Sequence, residues 1–226
     1  MKNSMKHVVG ILGGLGPQTT AHFYVDLVRR ATQKARPDAC IWSLPLNLRR
    51  EAEFIASGAH RLYLRRSLAD GMLRLERAGS DFIVIPCNTV HEFHAELARR
   101  AEVPVVNLID IVADEIVRRG WNRVMLLATS RTVATRLYHK SLGARGVQVD
   151  LPSDEDQRLL DQLIMGILGN SADDKHQQFL AELIDRAGTN NVILGCTDLQ
   201  LLCRPTEAVV DSTEVLIQHT TKLLTE

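Results

Sequence analysis

Asp81-Phe82-Ile83-Val84-Ile85-Pro86-Cys87-Asn88-Thr89-Val90-His91 is the stretch from which the fold can be read. Four apolar residues in a row describe a strand covered on both faces, as in a parallel sheet flanked by helices. Pro86 cuts the strand short, and a thiol, an amide and a hydroxyl follow at once. Glu92 to Arg100 carries helical spacing, so Cys87 stands where a strand ends and a helix begins. Open α/β sheets place their ligands at such points. Free N–H groups and the positive end of a helix dipole there favour a thiolate, so the Cys87 thiol is expected below its ordinary pKa.

The pattern occurs twice. Asn191-Val192-Ile193-Leu194-Gly195-Cys196-Thr197-Asp198 is again an apolar run, a small breaker, then Cys and Thr, with a helical Leu199-Gln200-Leu201-Leu202 behind it. A single cysteine of this kind is most often an inert buried thiol. Two in matching surroundings point to a shared task.

Outward from these strands the chain alternates. Val8 to Leu12 reads as a first buried strand running into Gly13-Gly14-Leu15-Gly16-Pro17, with Pro17 in a first helical turn. Strands follow at Cys40 to Leu44, Val103 to Leu108, Arg123 to Ala128, Val147 to Leu151 and Val209 to Asp211. Between them lie a loop around Pro45 to Arg50 and helical patterns at His60–Arg77, Ile109–Arg119, Glu155–Leu168, Asp173–Ala187 and Thr213–Leu224. Strand–helix alternation makes this an α/β protein with parallel sheets. Ile11 to Gly14 corresponds to Leu126 to Thr129 in position relative to the cysteine strand of each half. The expected architecture is therefore two pseudosymmetric lobes, each a mostly parallel sheet flanked by helices, with an active site in the cleft between them. Residues 1–104 with 212–226 form the lobe of Cys87, and 105–211 that of Cys196.

Bulk properties narrow the class. The 226 residues are 45% hydrophobic and 24% charged, as in ordinary globular proteins. Lys plus Arg and Asp plus Glu number 27 each, which leaves no electrostatic footprint for nucleic acid or an anionic membrane. No apolar run reaches the ~20 residues that span a bilayer, and Met1–Lys6 is too short for a signal peptide, so the cytoplasm is expected. Cys40, Cys87, Cys196 and Cys203 lack metal-ligand spacing, and Cys40 and Cys203 read as packing residues. Neither a metal nor a disulfide framework is expected.

Two thiols facing one carbon atom can racemise it. One, as thiolate, removes the proton; the other, as thiol, delivers a proton to the opposite face. The reverse reaction only exchanges the roles, which accounts for near-identical surroundings. Gly13-Gly14-Leu15-Gly16-Pro17, Pro86-Cys87-Asn88-Thr89-Val90-His91 and Gly195-Cys196-Thr197-Asp198 resemble the three signatures of the aspartate/glutamate racemase family, over essentially the whole chain. The resemblance implies a cofactor-independent amino-acid racemase acting on aspartate or glutamate, without pyridoxal phosphate or metal, and a homodimer. It further implies that Asn88, Thr89, Thr129, Thr132 and Thr197 hold the α-carboxylate and amine. A basic residue after the second strand, Arg49 or its neighbour Arg50, takes the side-chain carboxylate. Two departures stand out: Asp198 where the family usually has Glu, and Ile167-Leu168 where some members carry a Lys, a loss that weakens the dicarboxylate assignment.

Plainer readings stand beside these. The glycine loop lacks both Gly-Lys-Ser/Thr and G-x-G-x-x-G, so it reads as a tight turn or a close approach to a small carboxylate. His91 either pairs with Cys87 as in a cysteine amidase or hydrogen-bonds locally. Thr129 and Thr132 are capable of merely capping a helix, and Asp198 of complementing a dipole. Competing functions are a hydantoin racemase, a maleate isomerase, a decarboxylase and a binding protein that has lost catalysis.

Overall fold

The computed structural model describes residues 7–31, 36–187, 191–203 and 206–226; the expectation for Met1–Lys6 falls outside them. The first sheet holds β1 (Val8–Gly13), β2 (Asp38–Ser43) and β3 (Phe82–Val84) in the order β2-β1-β3, all parallel. The second holds β4 (Arg123–Leu127), β5 (Gln148–Asp150), β6 (Val192–Leu194) and β7 (Val209–Asp211) in the order β5-β4-β6-β7, also parallel. Thus β1 and β4 are each flanked by their cysteine strand, β3 and β6, and by the strand that follows them in sequence. The duplication read from the sequence is a duplication of topology.

The helices are α1 (Pro17–Ala31), α2 (Leu48–Ser57), α3 (Arg61–Arg77), α4 (His94–Arg100), α5 (Leu108–Arg118), α6 (Ser130–Ala134), α7 (Leu137–Gly143), α8 (Asp154–Leu168), α9 (Asp174–Asp185) and α10 (Ser212–Leu223). One apolar cluster joins the two sheets: Val9 and Phe23 pack with Val112 and Ile116 of α5, Leu126 and Ile193 of the second sheet, and Leu216 of α10. The closing helix lies on α1 and α5. Separate clusters cover the outer faces, around Leu12, Leu68 and Ile83 on one side and Leu127, Leu163 and Leu194 on the other.

Three expectations change. Val103–Leu108 is no full strand but a single parallel bridge between Ile83 and Val105. Pro104 has no N–H to extend the ladder, and Asn107 caps α5 by accepting from the N–H groups of Ile109 and Asp110. The segment after each cysteine is a five-residue 3₁₀ turn, Thr89–Phe93 and Thr197–Leu201, rather than the start of an α-helix. And the region after Pro45 contains α2, capped by Asn47 at one end and by Gly58 in the left-handed conformation at the other.

Gly14 illustrates how tightly the first loop is held. Its φ is +87°, and a Cβ there would lie 2.7 Å from Leu44 O and nearer still to Leu44 N, backbone atoms that cannot swing away. Gly14→Ala adds left-handed strain to that collision, so we expect a loss of about 3 kcal/mol and a melting midpoint lower by roughly 10 °C. A melt within a degree of the parent would show that the loop yields.

Candidate active site

Both cysteines open onto one pocket. Its wall takes Cys87, Asn88 and Thr89 from the end of β3, Cys196, Thr197 and Asp198 from the end of β6, and Thr129 from the end of β4. α2 closes it with Arg50, Glu51, Phe54 and Ile55, and Leu15 of the glycine loop lies opposite. The space free of protein atoms is ≈ 530 Å³, open mouth included, within the range of small-molecule sites.

Desolvation favours the neutral thiol at both sulfurs. Backbone N–H groups of Val90 and Thr89 do favour a Cys87 thiolate, as the strand-end position suggested, but burial outweighs them and pushes the thiol up to about 12, helped by the charges of Asp198 and Glu51. Burial likewise raises Cys196 well above its ordinary value, with Asp198 and Cys87 adding repulsion. The expectation of a depressed thiol pKa is therefore corrected: a short 3₁₀ turn does not offset desolvation. Cys87 figures in the electrostatics of Cys196, and Asp198 in those of both, as befits neighbours on one cavity wall.

Hydroxyls fill the seam between the halves. Thr89, Thr129 and Thr132 form a ring of three, Oγ1 to Oγ1, at 3.1, 3.0 and 3.2 Å. Thr132 stands behind Thr129 and is buried, away from the pocket wall, while Thr129 also caps α6 by accepting from the Thr132 N–H. The Thr197 hydroxyl donates to the Pro86 carbonyl across the seam. Asn88 is already engaged: its amide N–H donates to Ser212 Oγ at 2.9 Å and its Oδ1 accepts from the Tyr138 hydroxyl at 2.6 Å. It ties α7 and α10 to the cysteine loop.

Arg49, like Thr132, is an expected site residue that lies off the pocket wall. Its side chain is 86% exposed and pairs with Glu53 one turn along α2. A helical turn separates neighbours by about 100°, so Arg50 instead lines the pocket, its guanidinium 4.8 Å from the Tyr63 ring centroid. His91 hydrogen-bonds locally. Its Nε2 accepts from the Leu108 N–H, so Nδ1 carries the proton and donates to the Cys87 carbonyl, and burial lowers its pKa to about 4. Both nitrogens are spent, which rules out an amidase pair with Cys87.

Two carboxylates complete the wall. Asp198 does more than complement a dipole: Oδ1 accepts from the Thr19 hydroxyl and Oδ2 lies 3.8 Å from Cys196 Sγ. Burial raises its pKa to about 6. Glu51, which the sequence alone did not single out, accepts from the Gly16 N–H at 3.0 Å and is raised to about 7 by burial and by Asp198. Its signal was present: an acid three and four positions before Phe54 and Ile55 sits on the apolar stripe of a helix. The small carboxylate that the glycine loop approaches is the protein's own.

An α/β architecture of two parallel sheets, with paired strand-end cysteines on a common pocket, defines a class of isomerase scaffold. Residues 12–220 match the family model described as Asp/Glu/Hydantoin racemase, and the chain belongs to that family. It is 26% identical to the broad specificity amino-acid racemase RacX of Bacillus subtilis (strain 168), covering 94% of this chain and 96% of the other. Among solved structures, it is similar to PH1733, an aspartate racemase homologue from Pyrococcus horikoshii OT3, at 29% identity and TM-score 0.79, covering 97% of this chain and 100% of that one. The aspartate racemase of Picrophilus torridus superposes with TM-score 0.81 at 22% identity, covering 96% and 94%. Among the described residues no helix is long and apolar enough to cross a membrane.

Proposed function

We propose that the protein racemises an amino acid by two-base chemistry, with Cys87 and Cys196 on opposite faces of the α-carbon and no cofactor. In this reading residues 1–104 with 212–226 and residues 105–211 are the two lobes that close on the substrate. A thiolate takes the α-proton; the Cα–H bond breaks and its electron pair passes into the α-carboxylate as an enediolate. The opposite thiol then gives its proton to the other face and is left as the thiolate. Thr89 and Thr129, by turning a hydroxyl out of their ring, supply donors where negative charge grows on the carboxylate, and Thr197 does so by exchanging its bond to the Pro86 carbonyl. The observation that carries the reading is the presence of two thiols, Cys196 buried and Cys87 half-buried, equivalent in topology and on the wall of one pocket.

The substrate is aspartate or glutamate. Among the described residues Arg50 is the pocket arginine without a carboxylate partner, and it takes the distal carboxylate. The apolar wall of Leu46, Phe54, Ile55 and Leu64 favours a second reading, an uncharged side chain. Incubating the protein in D₂O with each enantiomer of aspartate, glutamate, alanine and leucine, and following the α-proton by NMR, separates the two. Exchange confined to the dicarboxylates, with a loss of about tenfold or more in kcat/KM for Arg50→Ala, supports the assignment. Exchange of leucine at a comparable rate transfers it to the apolar reading, and exchange of none overturns the racemase.

A further inference from the structure

The glycine loop is wedged between two buried carboxyl groups that share the pocket with the thiols. Gly16 has a φ of +76°, and its N–H donates to Glu51 Oε1 at 3.0 Å. A Cβ on Gly16 would stand 2.5 Å from Asp198 Oδ1, and Thr19, in the first turn of α1, donates its hydroxyl to that same oxygen. Each acid therefore has one oxygen engaged, Glu51 on the loop and Asp198 on Thr19 just after it, and keeps the other. Among the described residues Glu51 Oε2 receives no hydrogen bond, and Asp198 Oδ2 meets only the Cys196 sulfur. Glu51 is 8% exposed and Asp198 6%, so water cannot fully solvate either.

The cations nearby do not neutralise the pair. Arg50 is drawn over Tyr63, His60 is hydrogen-bonded to Glu53, and Arg131, behind Phe54, is paired with Glu92. Two carboxyl groups that sense each other's charge across one glycine either hold a proton or call for a positive group beside them. The uncharged groups that Thr89, Thr129, Thr197 and Asn88 bring to this wall are hydroxyls and an amide, and none of them supplies a positive charge.

We infer that Glu51 and Asp198 form the subsite that receives the α-ammonium group of the substrate, and so select amino acids over carboxylates that lack an amine. This inference rests on the racemase reading and deepens it. An ammonium seated there lies beside both thiols, and replaces the negative field that raises them by a positive one. The substrate itself then lowers the thiols toward ionisation, and a ligand without an amine leaves them neutral. A hydantoin or a maleate offers no such cation, so the subsite also separates this pocket from the other chemistries of the family.

The test is binding of matched pairs that differ only in the amine: L-aspartate with succinate, and L-alanine with propionate, each titrated by calorimetry or NMR at pH 8 into the parent protein and Glu51→Gln. The parent should hold each amino acid at least about tenfold tighter than its deaminated partner, and Glu51→Gln should erase most of that ratio while leaving the deaminated acid bound as well or better. Asp198→Asn should act in the same direction. A ratio unchanged in both variants, or a parent that does not distinguish the members of either pair, overturns the subsite. Because binding is read without turnover, the two readings fail separately. Amine selectivity that depends on Glu51 without α-proton exchange keeps the subsite and removes the racemase; exchange with an unaffected ratio does the reverse.

Discussion

Cys87→Ala and Cys196→Ala will each abolish racemisation, by about a thousandfold or more on the scale typical of a removed general acid or base, and each will leave a different remnant. With one thiol gone, the other still faces one side of the α-carbon. It can take the α-proton of the enantiomer presented to it and return deuterium from solvent to the same face, giving exchange with retention. The two variants should therefore exchange opposite enantiomers in D₂O, and the double variant neither. A residue that only packs the core predicts a different outcome: lost stability and equal loss of both enantiomers. The remnants thus read mechanism, not folding, and a thermal melt close to that of the parent completes the control. Racemisation at the parental rate by either variant would remove the two-base scheme.

The duplication explains why such symmetry of outcome is expected. Ile11–Val84 and Leu126–Ile193 are corresponding registers of β1 with β3 and β4 with β6, and each cysteine follows its strand residue by three positions, so both thiols leave their sheets at the same point of the same supersecondary unit. The surroundings differ in one respect that bears directly on charge. Cys196 has an acid two residues on, Asp198, with an oxygen near its sulfur, whereas the equivalent position after Cys87 is the hydroxyl of Thr89.

The sheets were legible in the sequence because a strand buried on both faces is a continuous apolar run, and no polar residue interrupts Phe82-Ile83-Val84-Ile85 or Val192-Ile193-Leu194. What could not be read was the other half of each decision. Pro104 and Asn107 stop a strand whose apolar residues alone suggested more of it. The strand-end N–H groups do act on the thiols in the expected sense, since Thr89 and Val90 point theirs at Cys87. Burial, however, is a property of the assembled pocket and outweighs them. Arg49 and Arg50 could not be ranked without knowing that they begin a helix: one turn of α2 sends the first to Glu53 and the second to the pocket. Glu51 was hidden for the same reason.

Glu51 also leads to a stability result that runs against the usual acid denaturation. Its carboxyl goes from 4.5 in the open chain to about 7 in the fold, and Asp198 and Asp211 from 3.8 to about 6, in each case chiefly because burial disfavours the charge. Between pH ~4 and pH ~7 the folded protein holds protons that the unfolded chain has released, so unfolding loses protons and stability falls as the pH rises through that window. The carboxylates of Glu53 and Asp156, half-buried, and of Asp173, exposed, are shifted the opposite way by their His and Arg partners, but near the surface such pairs contribute little. Glu51→Gln isolates the effect, because a neutral amide can still accept from the Gly16 N–H. At pH 5, where Glu51 is itself protonated, parent and variant should unfold at nearly the same urea concentration. At pH 8 the variant should be the more stable, by up to roughly 3 kcal/mol from a shift of this size. A substitution that stabilises the fold while weakening amino-acid binding is what a carboxylate held at a site for its ligand predicts. If Glu51→Gln is less stable than the parent at pH 8, then Glu51 is a structural acid satisfied by its surroundings, and the place assigned to the ammonium goes with it.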